Sequence, residues 1–105
     1  MNIFFFFETA FQTIIDKLIA DDSLPKNLDV SRVVFELPRE ASHGDLATNA
    51  AMVLAKQVGS SPRELAKLFA EELLAIEGVT DVKIAGPGFL NIGVEVKLWT
   101  HEIAS

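Results

Sequence analysis

Residues 79–96 read VTDVKIAGPGFLNIGVEV, and this stretch decides the fold because it predicts a β-hairpin. On each side of the Gly-Pro-Gly sequence at 86–88, apolar residues alternate with polar or small ones, as in a strand with one buried face. The apolar set of the second strand is Leu90, Ile92, Val94 and Val96. If this set faces the core, Phe89 and Asn91 emerge together on the opposite face of the sheet.

Two helices are predicted directly before the hairpin. Residues 45–58 are rich in alanine with apolar residues in helical spacing, and Gly59 stands where a helix commonly ends. Ser61 is then a candidate N-cap, with proline at the first helical position and Glu64 completing a capping box. This second helix is expected to run over residues 62–76. The pair predicts a tight helical hairpin.

The N-terminal third predicts one helix and one strand. Residues 3–20 lack glycine and proline and repeat apolar residues at steps of three and four, although the four consecutive phenylalanines at 4–7 cannot all face one side. Val33, Phe35 and Leu37 alternate within residues 32–38, which predicts a strand ended by Pro38. Residues 97–105 have helical propensity but end without a stop signal.

The resulting element order, α-β-α-α-β-β-α, predicts an α+β fold. We expect a small antiparallel or mixed sheet of three to four strands, with the helices packed on one face.

Length and composition exclude several classes of function. The 105 residues suit one domain, and the absence of cysteine with only two histidines argues against cysteine enzymes and metal sites. Fifteen acidic against nine basic residues give a net charge of −6, which disfavours a stand-alone nucleic-acid binder, DNA included. No apolar run approaches the length of a membrane span. We therefore expect a cytoplasmic protein without a membrane partner.

Phe89 and Asn91 are the candidate binding residues. An aromatic ring can stack on a nucleobase, while a side-chain amide both donates and accepts at the edge of the base. An ordinary packing role stays open, with the ring covered by a neighbouring segment and the amide paired locally.

Gly86, Pro87 and Gly88 predict a turn rather than a phosphate-binding loop. The sequence joins two strands, lacks the lysine of a P-loop and is not followed by a helix. Its expected role is mechanical, because the turn sets the direction of Phe89.

Two further groups of residues are weaker candidates. Arg63 and Lys67 lie four positions apart on one predicted helix, where they form either a small basic patch for a phosphate or a solvated helix face. His43, Gly44 and Asp45 stand at a predicted helix entrance, where capping or packing is favoured over catalysis. No set of residues predicts a catalytic site or a metal site.

The blocks HGDLATNAAMVLAKQVGSSPRELA at 43–66 and VKIAGPGFLNI at 82–92 resemble the N-terminal additional domain of arginyl-tRNA synthetases in order and spacing. The resemblance covers about residues 1–100. Two departures from the family pattern are the phenylalanine-rich start and Leu46, where relatives often have tyrosine.

The resemblance implies a tRNA-recognition domain over residues 1–96, followed at 97–105 by a helix leading to a class I catalytic core. That core uses ATP and Mg²⁺ to attach arginine to tRNA, and its HIGH and KMSKS motifs are absent from these 105 residues. The fragment itself is therefore expected to hold no cofactor and to be inactive.

In the family, the aromatic and amide residues of the G-P-G-F-x-N block hold a D-loop nucleotide at the outer corner of the tRNA. The matching positions here are Phe89 and Asn91. The implied partners are tRNA, bound weakly by the isolated domain, and the catalytic core. The alternatives are a structural or protein-interaction domain that does not touch RNA and, more remotely, a free-standing enzyme.

Overall fold

The computed structural model describes residues 3–37 and 45–95, which form three helices and one antiparallel four-stranded sheet. In chain order the elements are α1 (Ile3–Ala20), β1 (Phe35–Glu36), β2 (Leu46–Thr48), α2 (Ala50–Val58), α3 (Pro62–Leu74), β3 (Val79–Ala85) and β4 (Phe89–Val94). The strand order is β1-β2-β4-β3. The α+β class and the small antiparallel sheet are confirmed, whereas the predicted helix at 97–105 lies outside the described residues.

The predicted order gains one element, the short strand β2. The sequence favours a helix from Asp45 onward, but Leu46–Thr48 pair with β4 on one side and β1 on the other, and α2 begins only at Ala50. Three residues are too few for an alternation pattern to be recognised. Pairing with two neighbouring strands therefore overrides the helical propensity of this alanine-rich stretch.

Strand β1 is shorter than predicted because a side chain replaces part of its ladder. The Val34 N–H donates to Asn49 Oδ1 at 2.9 Å, and Asn49 Nδ2 donates to the Arg32 carbonyl at 3.2 Å. Gln57 of α2 forms the same two-way bond with the backbone of Asp29, at 2.8 and 3.0 Å. Two amides thus fasten the segment between α1 and β1.

Replacing Asn49 with alanine should lower the free energy of unfolding by about 1 to 2 kcal/mol, because two backbone groups lose their partner. Gln12→Ala is the matched control, since among the described residues that amide bonds to exposed Asp16 on its own helix and to no backbone group. Urea denaturation measures both variants. Equal losses would show that Asn49 does not fasten the segment.

The helical hairpin forms as predicted. Gly59 ends α2 in the left-handed conformation (φ 79°), with its N–H donating to the Ala55 carbonyl at 2.8 Å. The Ser61 hydroxyl caps α3 by accepting from the Glu64 N–H at 3.2 Å. A single residue, Ser60, separates these two signals, so α2 and α3 pack side by side.

The core lies between the helices and one face of the sheet. Phe11 of α1 is central, with its ring centroid 5.0 Å from that of Phe69 and 5.8 Å from that of Phe35. Buried apolar side chains from every helix and from β1, β2 and β4 complete the core, among them Phe7, Leu18, Leu46, Leu54, Leu73, Leu90 and Ile92.

The phenylalanine run at the start of α1 is divided between core and surface, as its helical spacing predicts. Phe7 is fully buried, whereas Phe5 keeps 46% of its surface exposed. None of the three described helices is both long and apolar enough to cross a membrane.

Candidate nucleic-acid interface

The outer face of the sheet, defined as the face opposite the helices, carries the two candidate binding residues. The strand register places Asn91 of β4 between Ala47 of β2 and Lys83 of β3. Phe89 lies opposite Ala85 at the start of the same strand. The neighbouring residues Leu90 and Ile92 point into the core. Strand alternation therefore gives Phe89 and Asn91 a common face.

Phe89 is accessible at one end of this face. Its side chain is 37% exposed, which makes it one of the few large apolar side chains at the surface among the described residues. The residue opposite it on β3 is Ala85, which has a small side chain. The exposed part of the ring is the surface on which a planar ligand could stack.

Asn91 is largely buried, with 9% of its surface exposed. No residue within 3–37 or 45–95 hydrogen-bonds its side chain. A buried amide without a partner costs about 1–3 kcal/mol, and such groups in native proteins call for an explanation. A ligand that supplies the missing donor or acceptor is one such explanation.

The turn that precedes Phe89 is held by the start of α3. Gly86 has a φ of 54°, and the Gly88 N–H donates to the Ala85 carbonyl at 3.3 Å, closing the turn. Arg63 Nη1 donates to the Gly86 carbonyl at 2.7 Å. A Cβ on Gly88 would lie 2.8 Å from the Pro62 Cβ, so the turn packs directly on the helix.

The two candidate phosphate contacts on α3 are therefore placed differently. Arg63 is exposed, but one of its N–H groups is engaged with the Gly86 carbonyl. Lys67 is exposed one helical turn further along α3, in the helix layer rather than on the outer face. The structure brings Arg63, and not Lys67, to the turn beside Phe89.

Asp45 fastens β4 instead of standing at a helix entrance. Its Oδ2 accepts from the Val94 N–H at 2.9 Å, and its own N–H donates to the Ile92 carbonyl at 2.9 Å. Because β2 intervenes before α2 begins at Ala50, Asp45 does not stand at the predicted helix entrance. His43 and Gly44 lie outside the described residues.

Lys83 is a residue that the sequence interpretation left without a role. It is exposed on the outer face directly opposite Asn91. The alternation of β3 contained the signal, since Val82 and Ile84 pack against the core and Lys83 must point away from it.

Metal chemistry has no support within the described part of the chain. No three histidine or acidic side chains there are grouped so that they could hold an ion.

Comparison with known proteins identifies similar sequences over nearly the whole chain. A family model described as "Arginyl tRNA synthetase N terminal domain" matches residues 6–94. The arginine–tRNA ligase of Xanthobacter autotrophicus is 48% identical over 105 residues, covering 100% of this chain and 18% of that protein. The ligase of Parvibaculum lavamentivorans is 50% identical over 103 residues (98% and 18%), and that of Rhodospirillum rubrum 43% over 99 residues (94% and 17%). The chain thus spans less than a fifth of the curated relatives it matches.

Proposed function

Because the chain belongs to the family of arginyl-tRNA synthetase N-terminal domains, we propose that it is a non-catalytic tRNA-binding module of an arginine–tRNA ligase. In this proposal residues 1–96 contact the D-loop at the outer corner of the tRNA. The contact orients the tRNA for ATP-dependent arginylation by a catalytic core, to which residues 97–105 lead. ATP and Mg²⁺ belong to that core, and this domain binds neither.

The observation that carries the proposal is an exposed ring beside a buried amide to which the described residues supply no hydrogen bond. Phe89 offers a stacking surface, and Asn91 offers donor and acceptor positions two residues further along the same strand. An unstacked base placed over Phe89 would bring its edge toward Asn91. Single-stranded RNA loops are recognised by this combination of stacking and edge contacts.

The expected affinity of the isolated domain is low. Stacking contributes about 1–3 kcal/mol and an edge contact a similar amount, for a gross gain of about 2–6 kcal/mol. Association costs reduce this gain to millimolar binding at best. The net charge of −6 adds no general attraction to RNA. The contact matters when it is tethered to a second binding surface, because tethering raises its effective concentration.

An NMR titration of the 105-residue chain with tRNA tests the proposal. At millimolar tRNA we expect changes in backbone amide chemical shifts that cluster at residues 83–93. A DNA hairpin of equal charge should produce no such cluster. The absence of shifts in this region at millimolar tRNA would contradict the proposal.

A second candidate function is a structural domain that packs against the rest of a ligase without touching RNA. Exposed apolar side chains favour it, namely Val34 (44% exposed), Leu37 (65%) and Leu74 (48%). These residues lie outside the stretch 83–93, so the same titration separates the two functions.

A further inference from the structure

We infer that Lys83 binds a backbone phosphate of the nucleotide whose base lies over Phe89 and Asn91. The inference rests on the proposed function. It adds that the RNA backbone runs over β3, on one side of the base site.

The position of Lys83 is the first argument. It pairs with Asn91 in the register of β3 and β4, so the two Cα atoms lie about 5 Å apart and both side chains leave the sheet on the outer face. Strand β3 is the edge of the sheet beyond β4. A base that sits over β4 therefore has its sugar and phosphate free to extend outward over β3.

The charges around Lys83 are the second argument. Alternation places Glu36, Asp81 and Glu95 on the same face, and Lys83 is the cation that the described residues contribute to it. Asp81 lies over Gly93 and accepts the Thr80 hydroxyl at 3.3 Å. Glu36 is three strands away from β3, at about 14 Å. Asp81 stands two residues before Lys83 on the same face of β3, about 7 Å away, and Lys83 is the one position on the described part of this face where an RNA backbone meets a positive charge.

The surroundings of the Lys83 ammonium group are the third argument. Within residues 3–37 and 45–95, Lys83 forms no ion pair and its side chain forms no hydrogen bond. Lys17, by contrast, is held by Glu72 at 2.7 Å between α1 and α3. In a domain with fifteen acidic residues, a lysine that no described residue pairs is available beside the candidate base site for a phosphate.

The test uses an arginine–tRNA ligase that carries this chain as its N-terminal domain. The KM for tRNA is measured against salt concentration for the unchanged protein, Lys83→Gln, Lys83→Arg and the control Lys67→Gln. Each phosphate contact contributes about 0.7 to 0.9 to the slope of log affinity against log salt. We expect Lys83→Gln to reduce the magnitude of this slope by that amount, and Lys83→Arg and Lys67→Gln to retain the original slope.

An unchanged slope for Lys83→Gln, or an equal loss for Lys67→Gln, would overturn the inference. Phe89→Ala measured in parallel separates this failure from failure of the proposed function. If Phe89→Ala raises the KM for tRNA while Lys83→Gln leaves the slope unchanged, only the assignment of Lys83 is wrong. If Phe89→Ala also leaves the KM unchanged, the base site itself is wrong and the inference falls with it.

Discussion

Replacing Gly88 with alanine is expected to lower the free energy of unfolding by about 2–6 kcal/mol, for two reasons that add. Gly88 has a φ of 150°, a conformation that side-chain-bearing residues adopt at a cost of about 1–3 kcal/mol. The new Cβ would also lie 2.8 Å from the Pro62 Cβ and 3.3 Å from Met52 Cγ. Relieving these contacts requires the turn to move off α3, and overpacking of this kind costs a further 1–3 kcal/mol, roughly.

Gly86→Ala is the matched control within the same turn. Gly86 has a φ of 54°, at which a side chain costs about 1–2 kcal/mol of stability. Among the described residues, no atom beyond its two chain neighbours lies within 4 Å of the Cβ that alanine would add there. Urea denaturation compares the two variants. Gly88→Ala should be the less stable one by about 1 kcal/mol or more, and equal stabilities would mean that the turn does not rest on α3.

Phe89→Ala is expected to have the largest effect on function. Losing one stacked base removes about 1–3 kcal/mol, so kcat/KM for tRNA in a ligase carrying this domain should fall about 5- to 150-fold. Thermal stability should change little, because the ring is 37% exposed and outside the core.

Leu74→Ala serves as the control for Phe89→Ala. Leu74 is an exposed apolar residue on α3 with 48% of its surface accessible, and its loss should leave kcat/KM within about twofold. Equal losses of activity in the two variants would contradict a specific role for Phe89.

The hairpin could be predicted from the sequence because both of its signals are local. Alternation over β3 and β4 and the Gly-Pro-Gly turn are contained in seventeen consecutive residues, 79–95. Strand β2 could not be predicted, because Leu46–Thr48 become a strand only by pairing with residues far away in the sequence, 35–36 and 90–92. The shortening of β1 likewise depends on the Asn49 amide, which packing brings to Arg32 and Val34.

In the candidate site, too, some features follow from local sequence patterns and others depend on tertiary packing. The common face of Phe89 and Asn91 follows from alternation, and so does the position of Lys83, although the sequence interpretation assigned it no role. The burial of Asn91 and the hydrogen bond that the Val94 N–H donates to Asp45 depend on how β2 lies against β4. Similarly, the Arg63 bond to Gly86 depends on the docking of α3 against the hairpin, which no local pattern encodes.

The central claim is that Phe89 stacks on one base of the D-loop, and a double-mutant cycle between protein and RNA tests it most directly. Wild-type and Phe89→Ala ligase are assayed with normal tRNA and with tRNAs made abasic at one D-loop position at a time. If the ring stacks on a base, the loss of kcat/KM caused by Phe89→Ala should shrink to about twofold or less at one abasic position, because the two changes remove the same contact. A loss of the same size at every abasic position would contradict the claim.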